Sequence, residues 1–253
     1  MNSWFAAPAR HSKAKLRLFC FPYAGGGTEA FHRWADAIVP EVELLTLQLP
    51  GRGARFTEPP VTSLDALVPK LAESILPYLD HPFVFLGHSN GALIAFELAR
   101  VLQSYRVQAP QHVILCAKRA PQLPPSSEPM HTLPRAEFIM QLKKYGGITH
   151  DILESEDLME TLLPMLRADF ALSETHSYRA GSRLHCDVTL FGSVEDEHVP
   201  EPDLLAWSSN IRGQIAYKAF PGGHFFIHEH RKEVIAAVNE ILQGLMHPVP
   251  AIE

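Results

Sequence analysis

Along the chain, short apolar runs rich in β-branched and aromatic residues alternate with stretches in which apolar residues recur at helical spacing. The runs at residues 16–21 (Leu-Arg-Leu-Phe-Cys-Phe), 44–49, 83–86, 112–117, 187–191 and 215–220 each predict a buried strand. Helical spacing marks residues 31–39, 63–79, 92–102, 204–208 and 229–245. In the second of these, Leu64, Leu67, Val68, Leu71, Ile75 and Leu79 share a face behind Ser63, a predicted N-cap, and Pro40 closes the first. Strands that alternate with helices predict an α/β fold built on a mainly parallel, doubly wound sheet.

The alternation stops at residues 121–178. Pro121, Pro124, Pro125, Pro129 and Pro134 punctuate an irregular approach; residues 135–145, 153–163 and 165–172 then have helical spacing, with a break at Gly146-Gly147 and a kink at Pro164. Phe138, Leu142, Leu158, Leu162, Leu166 and Phe170 are more apolar surface than a solvated linker carries. The segment predicts a helical cap inserted into one domain spanning 1–253. Within it, Arg167 and Asp169 are expected to be structural ion-pairing groups.

Composition narrows the function classes. The chain has 253 residues, 46% of them hydrophobic, enough for one well-buried core. A net charge of −6, with the basic residues scattered, leaves no field for nucleic acid. Cys20, Cys116 and Cys186 lie in or beside apolar runs, where cysteine acts as a small hydrophobe; their odd number points to a reducing compartment. Residues 1–15 lack an apolar leader core and no apolar run approaches membrane-spanning length, so a cytoplasmic protein without a membrane partner is expected.

The candidate chemistry centres on residues 83–102, where an apolar run enters Gly87-His88-Ser89-Asn90-Gly91 and a helix follows. Strand, sharp turn and helix are what a nucleophile elbow requires: side chains at positions 87 and 91 would collide with neighbouring backbone, and Ser89 is pushed outward at a helix N-terminus. After the first run, Pro22-Tyr23-Ala24-Gly25-Gly26-Gly27 has neither a Gly-Lys-Ser/Thr ending nor a dinucleotide fingerprint, so it reads as an oxyanion loop. Backbone N–H groups of Asn90 and of Tyr23 or Ala24 would hold the oxyanion. The run at 187–191 ends in an acidic loop that contains Glu195 and Asp196; the run at 215–220 ends in Gly222-Gly223-His224.

Ser89, an acid near 196 and His224 then follow the order serine, acid, histidine. His224 would take the Ser89 proton during attack on an acyl carbonyl while the acid orients the imidazole. His88 reads as a packing residue. Arg52 and Arg55 read as solvated loop arginines or, failing that, partners of an anionic substrate group. His228, Glu229 and His230 lack the His-Glu-x-x-His spacing, so neither a metal nor any other cofactor is expected.

Taken together, Phe21-Pro22-Tyr23-Ala24-Gly25-Gly26, Gln48-Leu49-Pro50-Gly51-Arg52, Gly87-His88-Ser89-Asn90-Gly91-Ala92, Leu166-Arg167-Ala168-Asp169 and Pro221-Gly222-Gly223-His224-Phe225 resemble the stand-alone type II thioesterases that accompany nonribosomal peptide and polyketide synthases. The resemblance implies an α/β-hydrolase fold with a mobile helical lid at 121–178. It also implies an editing activity that removes stalled or wrongly primed acyl groups from the phosphopantetheine arm of acyl or peptidyl carrier proteins. It favours Ala24 and Asn90 as oxyanion donors and a monomeric enzyme. It favours Asp196 over Glu195 as the acid, because Asp196 stands three residues before Val199. The chain departs from the family in carrying Asn90, where Met or Leu is common, and in its adjacent pair of acids. A general carboxylesterase or acyl-CoA thioesterase would share the triad. A synthase acyltransferase would carry Glu where this chain has Ala92, and a noncatalytic binding module would not need both Ser89 and His224.

Overall fold

Seven strands order themselves as one sheet in a computed structural model that describes residues 4–7 and 13–247. Part of the 1–15 stretch, where no leader is expected, lies outside the described residues. The strands are β1 (Phe5–Ala6), β2 (Leu16–Phe21), β3 (Val42–Leu47), β4 (Phe83–His88), β5 (His112–Cys116), β6 (Asp187–Ser193) and β7 (Ile215–Phe220), in the order β1-β3-β2-β4-β5-β6-β7. Every neighbouring pair is parallel except β1 with β3. The predicted doubly wound α/β sheet is what forms. β1 was not predicted, because two residues are too short for a periodic signal.

Period-two alternation assigns the faces. Phe83 and Phe85 point to one side with Phe19, Phe21, Val113 and Leu115; Val84 and Leu86 point to the other with Leu18, Cys20, Ile114 and Cys116. Both faces are apolar because helices cover both. The helices are α1 (Glu29–His32), α2 (Leu64–Ile75), α3 (Asn90–Ser104), α4 (Arg135–Tyr145), α5 (His150–Glu154), α6 (Glu156–Glu174), α7 (Glu201–Leu205), α8 (Phe226–Glu229) and α9 (Arg231–Met246). α2 and α3 supply the first face, Phe31, Trp34 and α9 the second. A third apolar cluster, with Met130, Phe138, Leu142, Met159 and Leu163, belongs to the 121–178 segment itself. No helix among the described residues is long and apolar enough to cross a membrane.

Several boundaries differ from expectation for local reasons. The helix expected at 31–39 shortens to α1, since the amides of Trp34 and Ala37 bond three residues back and wind tight turns, still burying Phe31 and Trp34. Ser63 holds the N-cap position of α2 without a side-chain cap bond, and Pro77 converts the expected end of that helix to a 3-10 turn at Leu76–Tyr78. The expected kink at Pro164 does not divide α6, which runs continuously through it. Pro164 and Glu160, whose carbonyl loses its partner there, are both exposed, which leaves the freed group open to solvent. His230 interrupts the terminal helix and separates α8 from α9.

Two histidines in the sheet make stability acid-sensitive. Burial holds His88 well below its ordinary 6.5, with nearby His224 and His228 adding to the effect, and burial pulls His112 down to about 4. Both stay neutral in the folded chain but gain a proton below about pH 6.5 once unfolded. The unfolded state therefore binds more protons there, and stability falls as pH drops below that value. Each such group removes about 1.4 kcal/mol per pH unit until its folded value is reached. The urea midpoint should fall between pH 7 and 5, less steeply in His112→Gln, which retains a partner for Thr189 Oγ1. A midpoint that ignores pH over that range contradicts this.

Candidate active site

β4 delivers Ser89 into a backbone conformation of φ 53° and ψ −119°, a strained region for a residue with a side chain. Its amide is tied to Cys116 O at 2.9 Å, and α3 begins at the next residue. The glycines that flank it are needed for space: a Cβ at Gly91 would fall 1.9 Å from Phe21 O, and one at Gly87 would fall 2.3 Å from Gly91 O. The turn is therefore an elbow that lifts the Ser89 hydroxyl clear of the sheet.

The chain ends of β6 and β7 supply the other two groups. His224 Nε2 lies 3.1 Å from Ser89 Oγ, and His224 Nδ1 lies 2.8 Å from Asp196 Oδ2. The other oxygen of Asp196 accepts the His198 amide at 3.0 Å. Burial pushes the Asp196 carboxyl up, but the bond and charge of His224 and the His198 amide outweigh it and hold the group below its ordinary range. A bond from Ser193 Oγ to Gly222 O joins the two loops. Glu195 is exposed, and its carboxylate turns toward the Gly222 amide at 3.4 Å, away from the imidazole.

Aromatic rings fix the histidine in place. His88 is wholly buried, 5.4 Å from the His224 ring and within 6.0 Å of Phe225 and Phe226, so it packs beneath the site as expected. Tyr145, at the end of α4, stacks on His198 at 3.8 Å and presents its edge to His224 at 5.5 Å. Burial raises the Tyr145 hydroxyl to about 12, so the ring stays neutral there. His228 binds the Tyr23 hydroxyl at 2.8 Å and Glu229 accepts the Gly223 amide at 3.2 Å; both shape the loops around His224.

Ser89 and His224 open into a cavity of about 730 Å³, lined also by Ala24, Asn90, Leu166 and Phe170. Leu142, Ile152, Leu162 and Met165 of the 121–178 segment line it as well, so that segment roofs the site. Lys118 reaches the same cavity, its ammonium 3.4 Å from Asn90 Oδ1 and drawn down to about 8 by burial.

Three residues depart from expectation. Arg52 is neither solvated nor turned to the cavity: it forks onto Asp169 through bonds of 2.6 and 2.7 Å, with 7% of its surface exposed. Arg55 is buried too, bound to Glu58 and lying 4.0 Å over the Trp4 ring. Arg167 forms no ion pair among the described residues and instead donates to His131 O and lies over Phe138, whereas Asp169 is an ion-pairing group as expected, with Arg52 as its partner. Nothing local in the sequence marks the partner of Arg52, since Asp169 is 117 positions away, whereas Glu58 stands three residues from Arg55. Tyr145 and His198 were also missed; an aromatic residue directly before Gly146-Gly147 and a histidine two past Asp196 were the available signals.

Comparisons with known proteins identify the family. A family model described as a thioesterase domain matches residues 16–242. The gramicidin S biosynthesis protein GrsT of Aneurinibacillus migulanus is 39% identical over 248 residues, covering 98% of this chain and 97% of its own. Thioesterase PikA5 of Streptomyces venezuelae is 30% identical, covering 90% and 81%. Among solved structures, the type II thioesterase BorB from the borrelidin biosynthetic cluster superposes with a TM-score of 0.85 at 30% identity, covering 94% of this chain and 96% of that one. A match across nearly the whole sheet and both ends of the site places the chain in the thioesterase domain family.

Proposed function

We propose that the protein is a serine thioesterase that clears acyl groups from the phosphopantetheine arm of carrier proteins in peptide and polyketide synthases. The observation that carries this reading is the hydrogen-bonded line Ser89, His224, Asp196 opening into a cavity roofed by Leu142, Ile152, Leu162 and Met165. Ser89 Oγ attacks the thioester carbonyl as His224 Nε2 takes its proton; Asp196 accepts the hydrogen bond from Nδ1–H and stabilises the imidazolium. The imidazolium then gives the proton to the departing thiolate, and a water activated by His224 releases the acid and frees Ser89.

The developing oxyanion is held by the N–H groups of Asn90 and Ala24. Asn90 opens α3, where the first amides have no partner within the helix. In the glycine loop, the Gly25 amide is committed to Asp169 and the Gly26 amide to Tyr23 O, which leaves the amides before them to serve. Each such donor typically contributes about 3 kcal/mol to the transition state.

In this reading the chain is one hydrolase domain over 1–253 with residues 121–178 as its lid, working as a monomer. The free thiols Cys20, Cys116 and Cys186 fit work in the cytoplasm. An acyl chain in the cavity gains about 0.8 kcal/mol per buried methylene, and the roof keeps bulk water away until release. For one acyl group, kcat/KM should be highest on a carrier protein, lower on coenzyme A and lowest on a short thiol. Equal values would remove carrier recognition and favour a general thioesterase or carboxylesterase. A disulfide introduced between α4 and the acid loop should slow turnover on the carrier substrate; unchanged turnover would show that the lid need not open.

A further inference from the structure

Asp169 lies on α6, in the roof, yet its carboxylate reaches the glycine loop beneath. Its Oδ2 accepts the Gly25 amide at 2.7 Å, and both oxygens are gripped by Arg52. The same Arg52 Nη1 donates to Gly26 O at 2.9 Å. The backbone carbonyl of Asp169 accepts the Asn90 side-chain amide at 2.5 Å. One residue of the roof is thus bonded to the loop that carries Ala24 and to the residue that follows Ser89.

We propose that Arg52 and Asp169 are positioning residues of the oxyanion hole, and that they fix α6 as the stationary part of the lid. This rests on the thioesterase reading given above. The pair grips the turn closed by Gly26 N to Tyr23 O at 2.9 Å, whose third residue, Gly25, sits at φ +82°. A bond to the Gly25 amide fixes the peptide plane next to Ala24, and a bond to Gly26 O fixes the far side of the turn. The orientation of the Ala24 N–H is then set from outside the loop. Leu166, one turn earlier on α6, comes close enough that a Cβ at Gly25 would lie 2.7 Å from its Cδ2, so the helix and loop cannot separate without breaking packing as well as hydrogen bonds.

The physical reason to assign geometry rather than stability is the burial of the pair, with side-chain exposures of 8% and 2%. A buried ion pair adds little net stability over an apolar pair of the same size, whereas its fork fixes direction. Any opening of the roof is accordingly confined to the segment before α6, which includes α4, Gly146-Gly147 and α5.

The test uses the full chain with two variants, Arg52→Met/Asp169→Leu and Asp169→Asn. The double variant replaces the ion pair by apolar groups but leaves the Gly25 amide and Gly26 O without these partners, so it should stay folded with a melting temperature a few degrees below that of the wild type. Its kcat should fall about 10- to 100-fold, part of the 10²–10³ seen when an oxyanion donor is removed outright, while KM changes less than about threefold. Affinity for an alkyl boronic acid, which mimics the tetrahedral state at Ser89, should fall by the same factor as kcat/KM, with binding of the product fatty acid unchanged. Asp169→Asn, nearly isosteric, should show the same pattern more weakly and decides the matter if the double variant does not fold. Wild-type kcat in a folded variant, or equal losses of boronic acid and product binding, overturns the proposal. Absence of thioester turnover in the wild type overturns the thioesterase reading instead, so the two failures are separate.

Discussion

Replacing Ser89 with alanine is expected to lower thioester turnover by about five to six orders of magnitude, with the melting temperature kept. Removal of the nucleophile disables the unit it forms with the base, which is why such losses approach those of removing all three groups together. The fold has no reason to suffer. Ser89 is half-exposed to the cavity, its amide bond to Cys116 O is backbone, and alanine bears the same strain at φ 53° that serine does. A fluorophosphonate should label the wild type once, at Ser89, and the variant not at all. Near-normal turnover in Ser89→Ala, or labelling elsewhere, would remove Ser89 from the mechanism.

Asp196→Asn should lower kcat by about four orders of magnitude, because an amide in that place stabilises the wrong tautomer of His224 and does not compensate the imidazolium. The carboxylate is buried, 2.8 Å from Nδ1, and held below its ordinary range, so it is charged at any pH where His224 works. Glu195→Gln, one residue away and exposed, should stay within about threefold of wild type, since its carboxylate accepts the Gly222 amide while His224 bonds Asp196. If Glu195→Gln collapses kcat and Asp196→Asn does not, the assignment of the acid is wrong. Steady-state rates on one soluble acyl thioester decide between them.

The elbow, the order of its partners and the parallel sheet were legible because each is a local pattern. Residues 83–91 announce strand, turn and nucleophile within a few positions, and Gly222-Gly223 announces the return of His224. Asp196 over Glu195 has no local signal and rests on the family register three residues before Val199; in the folded loop Asp196 turns inward to His224 and Glu195 stays exposed. Pro164 misled because a proline's cost depends on whether the orphaned carbonyl meets water, and that is a property of which face of α6 is exposed. Arg52 and Asp169 each stand in a family-like motif, but their joint role is hidden in the sequence, since two residues of opposite charge at distant positions give no sign of pairing until the chain is folded. The same holds for Tyr145, which reaches His224 only because the cap folds back over the sheet.

The most direct measurement follows intact masses of both proteins after the wild-type chain is mixed with a carrier protein bearing a medium-chain acyl thioester. The account predicts that the carrier loses the acyl mass while keeping its phosphopantetheine arm, and that the acyl mass appears transiently on the enzyme, on the peptide containing Ser89. In Ser89→Ala the acyl group should stay on the carrier. A wild-type sample in which the carrier keeps its acyl group, or loses it with no dependence on Ser89, would contradict the account.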